Sequence, residues 1–217
     1  MRLQIDEHEE DYKMLSPDSK FTKGMTQPMQ LLTSNKTSEW YTPPEIIKDV
    51  KSVLYGIELD PASNAFANQF VQADRIFTPE DDALSLDWVA ESVFLNPPYC
   101  KIGNKSSQEV WMDYLISQLP TIGRCIALTK TVPGYVWWDN LFRGKWPGRF
   151  CITTGRIRFV SETGEVKGKA KAATTFWHYG NNDVDKEQFS YTFGKLGRIL
   201  HRDSHYIQEE RRKSNEW

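Results

Sequence analysis

Apolar residues recur along this chain at two different intervals, and the intervals predict its elements. Between Pro43 and Gly56, Ile46, Ile47, Val50, Val53 and Leu54 fall at helical spacing, with Pro43 and Pro44 suited to a first turn and Gly56 to a stop. "IELD" then reads as a short strand, followed by the loop "PASNAFAN" and an irregular stretch to Trp88. "SVFL" is a second strand. "SSQEVWMDYLISQL" carries Val110, Trp111, Tyr114, Leu115 and Leu119 as the face of a second helix, and the near-continuous apolar run of "RCIALTK" predicts a parallel strand covered on both faces. "YVWWDNLFRG" predicts a short aromatic helix. "GRFCITTGRIRFV" predicts a pair of strands turning near Thr154–Gly155, and "AATTFWHYG" a final strand. Helix–strand alternation followed by strands close in sequence implies an α/β fold: a three-layer, mostly parallel sheet with an antiparallel C-terminal hairpin.

The flanks have a different texture. Residues 1–36 are acidic at first and then rich in Ser, Thr, Gln and Pro, which predicts a poorly ordered arm. Residues 37–200 form the expected domain, and 201–217 a charged tail. The 217 residues suit one full-sized domain. Acidic and basic residues nearly balance, 29 to 27, so net charge points to no class of partner. Three cysteines about 25 residues apart, without a C-x-x-C pair, fit neither a zinc site nor a disulfide framework, and His201 and His205 lack the intervening Glu of H-E-x-x-H. No metal, no membrane span and no signal peptide are expected, and a cytoplasmic setting is the simplest reading.

Candidate chemistry lies where "VFL" gives way to Asn96-Pro97-Pro98-Tyr99. An open α/β sheet binds ligands beyond the carboxyl ends of its strands, and this tetrapeptide sits past such an end. Pro97 and Pro98 donate no N–H and fix φ, so the carbonyls around them are expected to be rigid and open to a ligand. Asn96 adds a side-chain acceptor, and Tyr99 a flat face on which a base can stack. Such a site suits a planar group bearing an exocyclic NH₂. An adenine N6 is a poor nucleophile because its lone pair is delocalised; two acceptors on its hydrogens favour a pyramidal nitrogen and spread the charge that develops during attack on a methyl. The plain alternative is a rigid turn. A P-P-x-Y ligand for a WW domain is excluded because Tyr99 directly follows Pro98.

The ordered series "EWYTPPEI", "LDPASNAFAN", "FTPEDDALSLDW", "VFLNPPY", "WWDNLF" and "GRIRF", spread over roughly residues 38–180, resembles the small phage-type, Dam-like DNA adenine-N6 methyltransferases. The resemblance implies a Rossmann-like methyltransferase sheet, use of S-adenosyl-L-methionine, double-stranded DNA as partner, a bacterial host cell and methyl transfer at Asn96, Pro97, Pro98 and Tyr99. It implies that Trp40, Thr42 and Pro43 line the methionine end of the cofactor, that Asp60, Pro61, Ala62 and Ser63 form the first cofactor loop, and that Asp82 holds the adenosine part. One departure is that "LDPASNAF" lacks the glycines usual in a first cofactor loop. "GIELDP" therefore has two placements, as that loop or as the acidic end of a second strand on ribose hydroxyls, and the lack of any glycine-rich strand exit upstream favours the first. Asp60 also suits a helix N-cap, and Asp81 and Asp82 suit turn caps.

Charge becomes informative locally. From Arg143 to Lys171 there are eight basic residues and two acidic ones, a footprint for phosphates. Arg156 and Arg158 are expected to alternate on a strand and face one side; Lys167, Lys169 and Lys171 lie in a glycine-bearing hairpin tip, and Lys130 and Thr131 end a strand beside the cleft. Tyr135, Trp137 and Trp138 read as helix packing rather than base stacking. With no length for a separate recognition domain, target reading falls to "CKIGNKSSQ", the lysine-rich tip or the N-terminal arm. RNA adenine or a protein glutamine amide remain alternative substrates of the same motif, and a catalytically silent DNA-binding relative is the alternative outside enzymes.

Overall fold

The computed structural model describes residues 40–160 and 172–201. The arm over 1–36, Lys167, Lys169 and Lys171, and the tail beyond 201 lie outside the described residues.

The entry helix α1, Pro44–Leu54, begins after Pro43 in extended conformation with Pro44 at its first position, and ends as Tyr55 turns left-handed (φ 58°). All five periodic apolar residues of α1 are buried, each worth about 1.5–3 kcal/mol of burial. The strands that follow are β1 (Leu59–Asp60), β2 (Arg75–Ile76), β3 (Ala90–Leu95), a small hairpin β4–β5 (Lys101–Ile102, Lys105–Ser106), β6 (Ile122–Lys130), β7 (Arg149–Thr153), β8 (Thr174–Gly180) and β9 (Gly197–Leu200). Between them lie α2 (Ala67–Val71), α3 (Ser107–Gln118), α4 (Val136–Asn140) and α5 (Asp183–Phe193).

The seven-stranded sheet runs β2-β1-β3-β6-β8-β7-β9. Its first four strands are mutually parallel, and β8 pairs antiparallel with both β6 and β7. Alternation along the strands divides the core into two layers. Val93, Leu95, Cys125, Ala127 and Trp177 face α3 and the Trp138–Trp146 region, whereas Phe94, Ile126, Leu128 and Phe176 face α1 and α5. The expected three-layer architecture is therefore present. Among the described residues, no helix is long and apolar enough to cross a membrane.

Three local expectations are corrected. The stretch read as irregular contains α2 and β2, both too short to leave a periodic signal. "GRIRFV" forms no second strand beside β7: only Val160 pairs, in a single bridge with Tyr41, so Arg156 and Arg158 are exposed on an extended segment rather than on a ladder. β7 instead pairs with β8 on one side and β9 on the other, which satisfies both its edges. Nor is β8 the last strand, since α5 and β9 follow it; the apolar faces of α5 are interrupted by polar residues and give little periodic contrast.

Candidate active site

Leaving β1, the chain builds β2 on one side and later β3 on the other, so the order of the sheet reverses between β1 and β3. The carboxyl ends of these two strands carry Asp60 and Asn96. Thus β1 is a strand at the switch point, and Asp60 opens the loop that leaves it.

Asn96 is half-buried, and its amide is oriented by main chain. Nδ2 donates to the Trp40 carbonyl at 2.9 Å and lies 3.4 Å from Thr42 Oγ1. Because a carbonyl only accepts, the nitrogen must face Trp40, which turns Oδ1 the other way. Oδ1 is buried and has no hydrogen-bond partner among the described residues. A buried acceptor left open costs about 1–3 kcal/mol, so its retention calls for a ligand or a functional reason.

Pro97 is buried, and its carbonyl has no partner among the described residues. The Pro98 carbonyl is different: it accepts from the hydroxyl of Ser107, a fully buried residue at the start of α3. The expectation that all the carbonyls around the two prolines are open to a ligand is corrected at Pro98, whose carbonyl is taken by Ser107. Ser107 Oγ also accepts from Cys100 N–H at 3.1 Å, and Ser107 N–H donates to the Cys100 carbonyl at 3.0 Å, so the loop is clamped onto α3.

The Tyr99 ring stands edge-on to Phe159, centroids 6.5 Å apart, and Lys130 Nζ lies 5.1 Å over it. A base that stacks on Tyr99 must share the ring with this ammonium. Burial raises the phenol pKa, with the Gln108 side chain pulling the other way. Gln108 is itself buried; Oε1 accepts from Lys130 N–H at 3.3 Å and Nε2 has no partner. Ser107 and Gln108 fell within "CKIGNKSSQ", expected to read the target; their part in clamping the loop and meeting Lys130 was not expected.

Trp40 packs edge-on against Phe159 at 6.0 Å, and Tyr41 and Val160 exchange two backbone hydrogen bonds of 3.1 and 3.0 Å. These contacts hold the entry segment over the end of β3. Thr42 and Pro43 are buried there, and the Pro43 carbonyl accepts from Ile46 and Ile47 to start α1.

On the other side of the switch point, the Asp60 carboxyl is 3% exposed and accepts from Ala62 N–H at 3.2 Å. Burial pushes it up to about 7, against the lowering by Ala62 N–H and the nearby Ser63 hydroxyl. Ser63 Oγ affects the carboxyl without reaching hydrogen-bond geometry with any group, and is buried without a partner. Ser63 N–H donates to the Phe77 carbonyl at 3.0 Å, while Pro61 is buried and Ala62 half-buried. The cap position of α2 is Phe66, which offers no side-chain acceptor; Asn64 Oδ1 accepts from Ala67 N–H at 2.8 Å in the turn before it, and Asp60 is not used there.

The two acids after β2 also separate. Asp81 caps its turn, accepting from Thr78 N–H at 2.7 Å and Thr78 Oγ1 at 2.8 Å, which holds its carboxyl below the usual range. Asp82 sits between two 3₁₀ turns in left-handed conformation (φ 47°), a strained backbone for a non-glycine residue, and its carboxylate has no hydrogen-bond partner among the described residues.

Of the expected DNA contacts, Lys130 lies against Tyr99, whereas Arg156 and Arg158 are exposed on the segment that leads to Phe159. The aromatic trio divides: Trp138 is core, stacked on Phe142 and edge-on to Trp177, Trp137 is half-buried, and Tyr135 is 56% exposed.

Among solved structures, that of the 23S rRNA methyltransferase ErmE is similar to this chain at 12% identity with a TM-score of 0.42, over 71% of this chain and 77% of that one. No curated protein matches. A family model described as DNA N-6-adenine-methyltransferase (Dam) matches residues 30–183, well over half of the 217. With that match over the segment that carries Asn96, Asp60 and their supports, the chain belongs to the DNA N-6-adenine-methyltransferase (Dam) family.

Proposed function

We propose that the protein methylates the N6 amine of adenine in DNA, using S-adenosyl-L-methionine. The observation that carries this reading is Asn96 Oδ1: a buried, unpartnered acceptor at the carboxyl end of β3, aimed by the Trp40 carbonyl at its own amide nitrogen.

The residues across the switch point suit such a cofactor. A ligand with an ammonium, hydroxyls and a cationic centre offers donors to Asp60, Asp82 and the orphaned Ser63 hydroxyl. A positive ligand beside Asp60 would draw its raised pKa down and fix the carboxylate in its charged form. Trp40, Thr42 and Pro43 would close the same side. S-adenosylmethionine, when bound, supplies an electrophilic methyl.

The chain's own part is to make a poor nucleophile react. Asn96 Oδ1 and the Pro97 carbonyl accept the two N6 hydrogens, which favours a pyramidal nitrogen and stabilises positive charge as it builds. Both acceptors are fixed in advance, one by Trp40 and the other by the proline ring and the Ser107 clamp, so no reorganisation is needed at the moment of reaction. Tyr99, held by Phe159 and Lys130, supplies the aromatic wall for the base. The N6 proton, acidic once the nitrogen is cationic, leaves to water. Reaching N6 in a duplex requires the adenine to leave the stack.

The test is transfer of label from tritiated S-adenosylmethionine to unmethylated bacterial DNA, with digestion to nucleosides and RNA and protein as parallel acceptors. Label in N6-methyladenine from DNA is the expected result. Label confined to RNA or protein, or none at all, overturns the reading.

A further inference from the structure

The connection from β6 to α4 ends in an apolar tip with no role in the site described above. Pro133, Gly134, Tyr135 and Val136 are consecutive exposed residues, with Tyr135 56% and Val136 75% exposed. Trp137 is half-buried and Trp138 buried, and Phe142, 42% exposed, is stacked on Trp138, so the adjacent side chains of Tyr135 and Val136 are the ones that face solvent without a packing role.

The tip is also built to hold its shape. Gly134 takes φ 91°, which a side chain would oppose, and its N–H lies 3.2 Å from both carboxylate oxygens of Asp139. Tyr135 N–H donates to the Val132 carbonyl at 3.2 Å, and Asp139 N–H to the Tyr135 carbonyl at 2.9 Å. Behind it, Trp138 anchors α4 in the core at 3% exposure. The side chains of Tyr135 and Val136 take no part in any of these bonds.

Its position relates it to the base site. Lys130, the last residue of β6, stands over Tyr99, and Tyr135 follows five residues later, within about 17 Å even for extended chain. Exposed basic residues lie on the segments around Tyr99: Lys101 and Lys105 on the β4–β5 hairpin that follows it, with Lys105 paired to Glu109 at 3.3 Å, Lys130 over its ring, and Arg156 and Arg158 on the segment that leads to Phe159. A rigid apolar point within reach of Lys130 and the Tyr99 site, with exposed cations on the neighbouring segments, fits an anionic polymer whose interior is apolar and stacked.

We infer that Tyr135 and Val136 form a wedge that enters the DNA stack and fills the space vacated when the target adenine swings into the Asn96 site. The inference rests on the proposed adenine methylation of DNA. Duplex DNA loses stacking on both sides of an extruded base, and an inserted apolar side chain restores part of it. The exposed cations on either side hold the flanking phosphates while the tip enters. Tyr135 and Val136 touch the duplex and not the reacting atoms, so they are positioning residues. Their effect is confined to substrates in which a base must be extruded.

The test compares native and heat-denatured unmethylated bacterial DNA as methyl acceptors, with wild type, Tyr135→Ser/Val136→Ser and Tyr135→Phe/Val136→Leu. Both positions are exposed, so folding should be unaffected, which a urea melt checks. The serine variant should lose about tenfold or more of the rate on native DNA and stay within about threefold on denatured DNA, while the Phe/Leu variant keeps the native-DNA rate within about threefold. Equal loss on both forms, no loss on native DNA, or equal loss for the serine and Phe/Leu variants overturns the wedge. A wild type that labels neither form overturns the underlying reading of the site as well, so the two failures are told apart by the wild-type lane.

Discussion

The two ends of the central strand β6 both carry buried polar groups, and the contrast between them separates a structural cluster from a site. At the amino-terminal end Arg124 pairs with Asp185 at 3.4 Å, and His178 from the neighbouring strand lies fully buried against Phe189, the rings 4.7 Å apart and nearly parallel. At the carboxyl end Lys130 and Gln108 lie against Tyr99, and Asn96 follows the end of the neighbouring strand β3. Each end leaves polar atoms without partners: both ring nitrogens of His178 at one, Asn96 Oδ1 and Gln108 Nε2 at the other. Orphaned polar atoms therefore do not by themselves mark a site. What differs is access. His178 has 0% exposure beneath an aromatic ring, whereas Asn96 is half-buried and lies where the strand order reverses.

The most severe way to break this contrast is at Asn96. Asn96→Ala should lower the methyl-transfer rate by about two to three orders of magnitude while S-adenosylmethionine affinity, measured by calorimetry, changes little. A loss of binding equal to the loss of rate would move Asn96 from the chemistry to the cofactor.

Asp60 comes next. Because burial raises its carboxyl to about 7, a cofactor that needs the charged form should bind about tenfold less tightly at pH 6 than at pH 8. Asp60→Asn should bind more weakly at pH 8 and show no such slope. A slope that persists in the variant belongs to another group.

At the amino-terminal end, Asp185→Ala should cost about 1–3 kcal/mol in a urea melt, since it leaves Arg124 beside a vacated buried position, and should leave kcat within about twofold. Stability against pH sharpens the contrast further. Asp60 has a raised folded pKa, so its contribution is complete below the ordinary carboxyl value and is lost as pH rises towards about 7. For His178 the folded value is pushed down to about 3, by burial first and then by Arg149, Arg124 and Lys186. Its contribution is present above the ordinary imidazole value and is lost as pH falls below it. Between about pH 4 and 6.5 the two slopes oppose each other. His178→Phe should leave stability falling as pH rises through that window, and Asp60→Asn should leave it rising. The smallest effect expected is at neutral pH, where His178→Phe should gain about 1 kcal/mol by removing two buried nitrogens that nothing satisfies.

Much of the fold was legible because long elements carry long patterns. α1, α3 and β6 stand where the spacing of apolar residues places them, and the sheet they form divides its core as the alternation in β3 and β6 requires. Two-residue strands such as β2 have no period to read. The alternation in "GRIRFV" was real at the level of exposure, with Arg156 and Arg158 out and Phe159 in, yet β7 already has β8 and β9 as neighbours and leaves no edge for another strand. At the site, the motif residues and the acid at the end of β1 were visible in order and spacing. Ser107, Gln108 and Phe159 lay in the stretches "CKIGNKSSQ" and "GRIRF", but their contacts with Pro98, Lys130 and Tyr99 were not legible, because these depend on which loop lies beside them after folding. The same holds for Asp81 and Asp82, adjacent and chemically identical, of which one caps a turn and the other leaves its carboxylate open.

The bond from Asn96 to the Trp40 carbonyl has one more implication. A main-chain oxygen survives replacement of its own side chain, so Trp40→Ala would keep that acceptor and act on the Asn96 amide only by releasing the ring packed on Phe159. Removing the entry segment altogether would take away both acceptors of Asn96 Nδ2, the Trp40 carbonyl and Thr42 Oγ1, and free the amide to rotate.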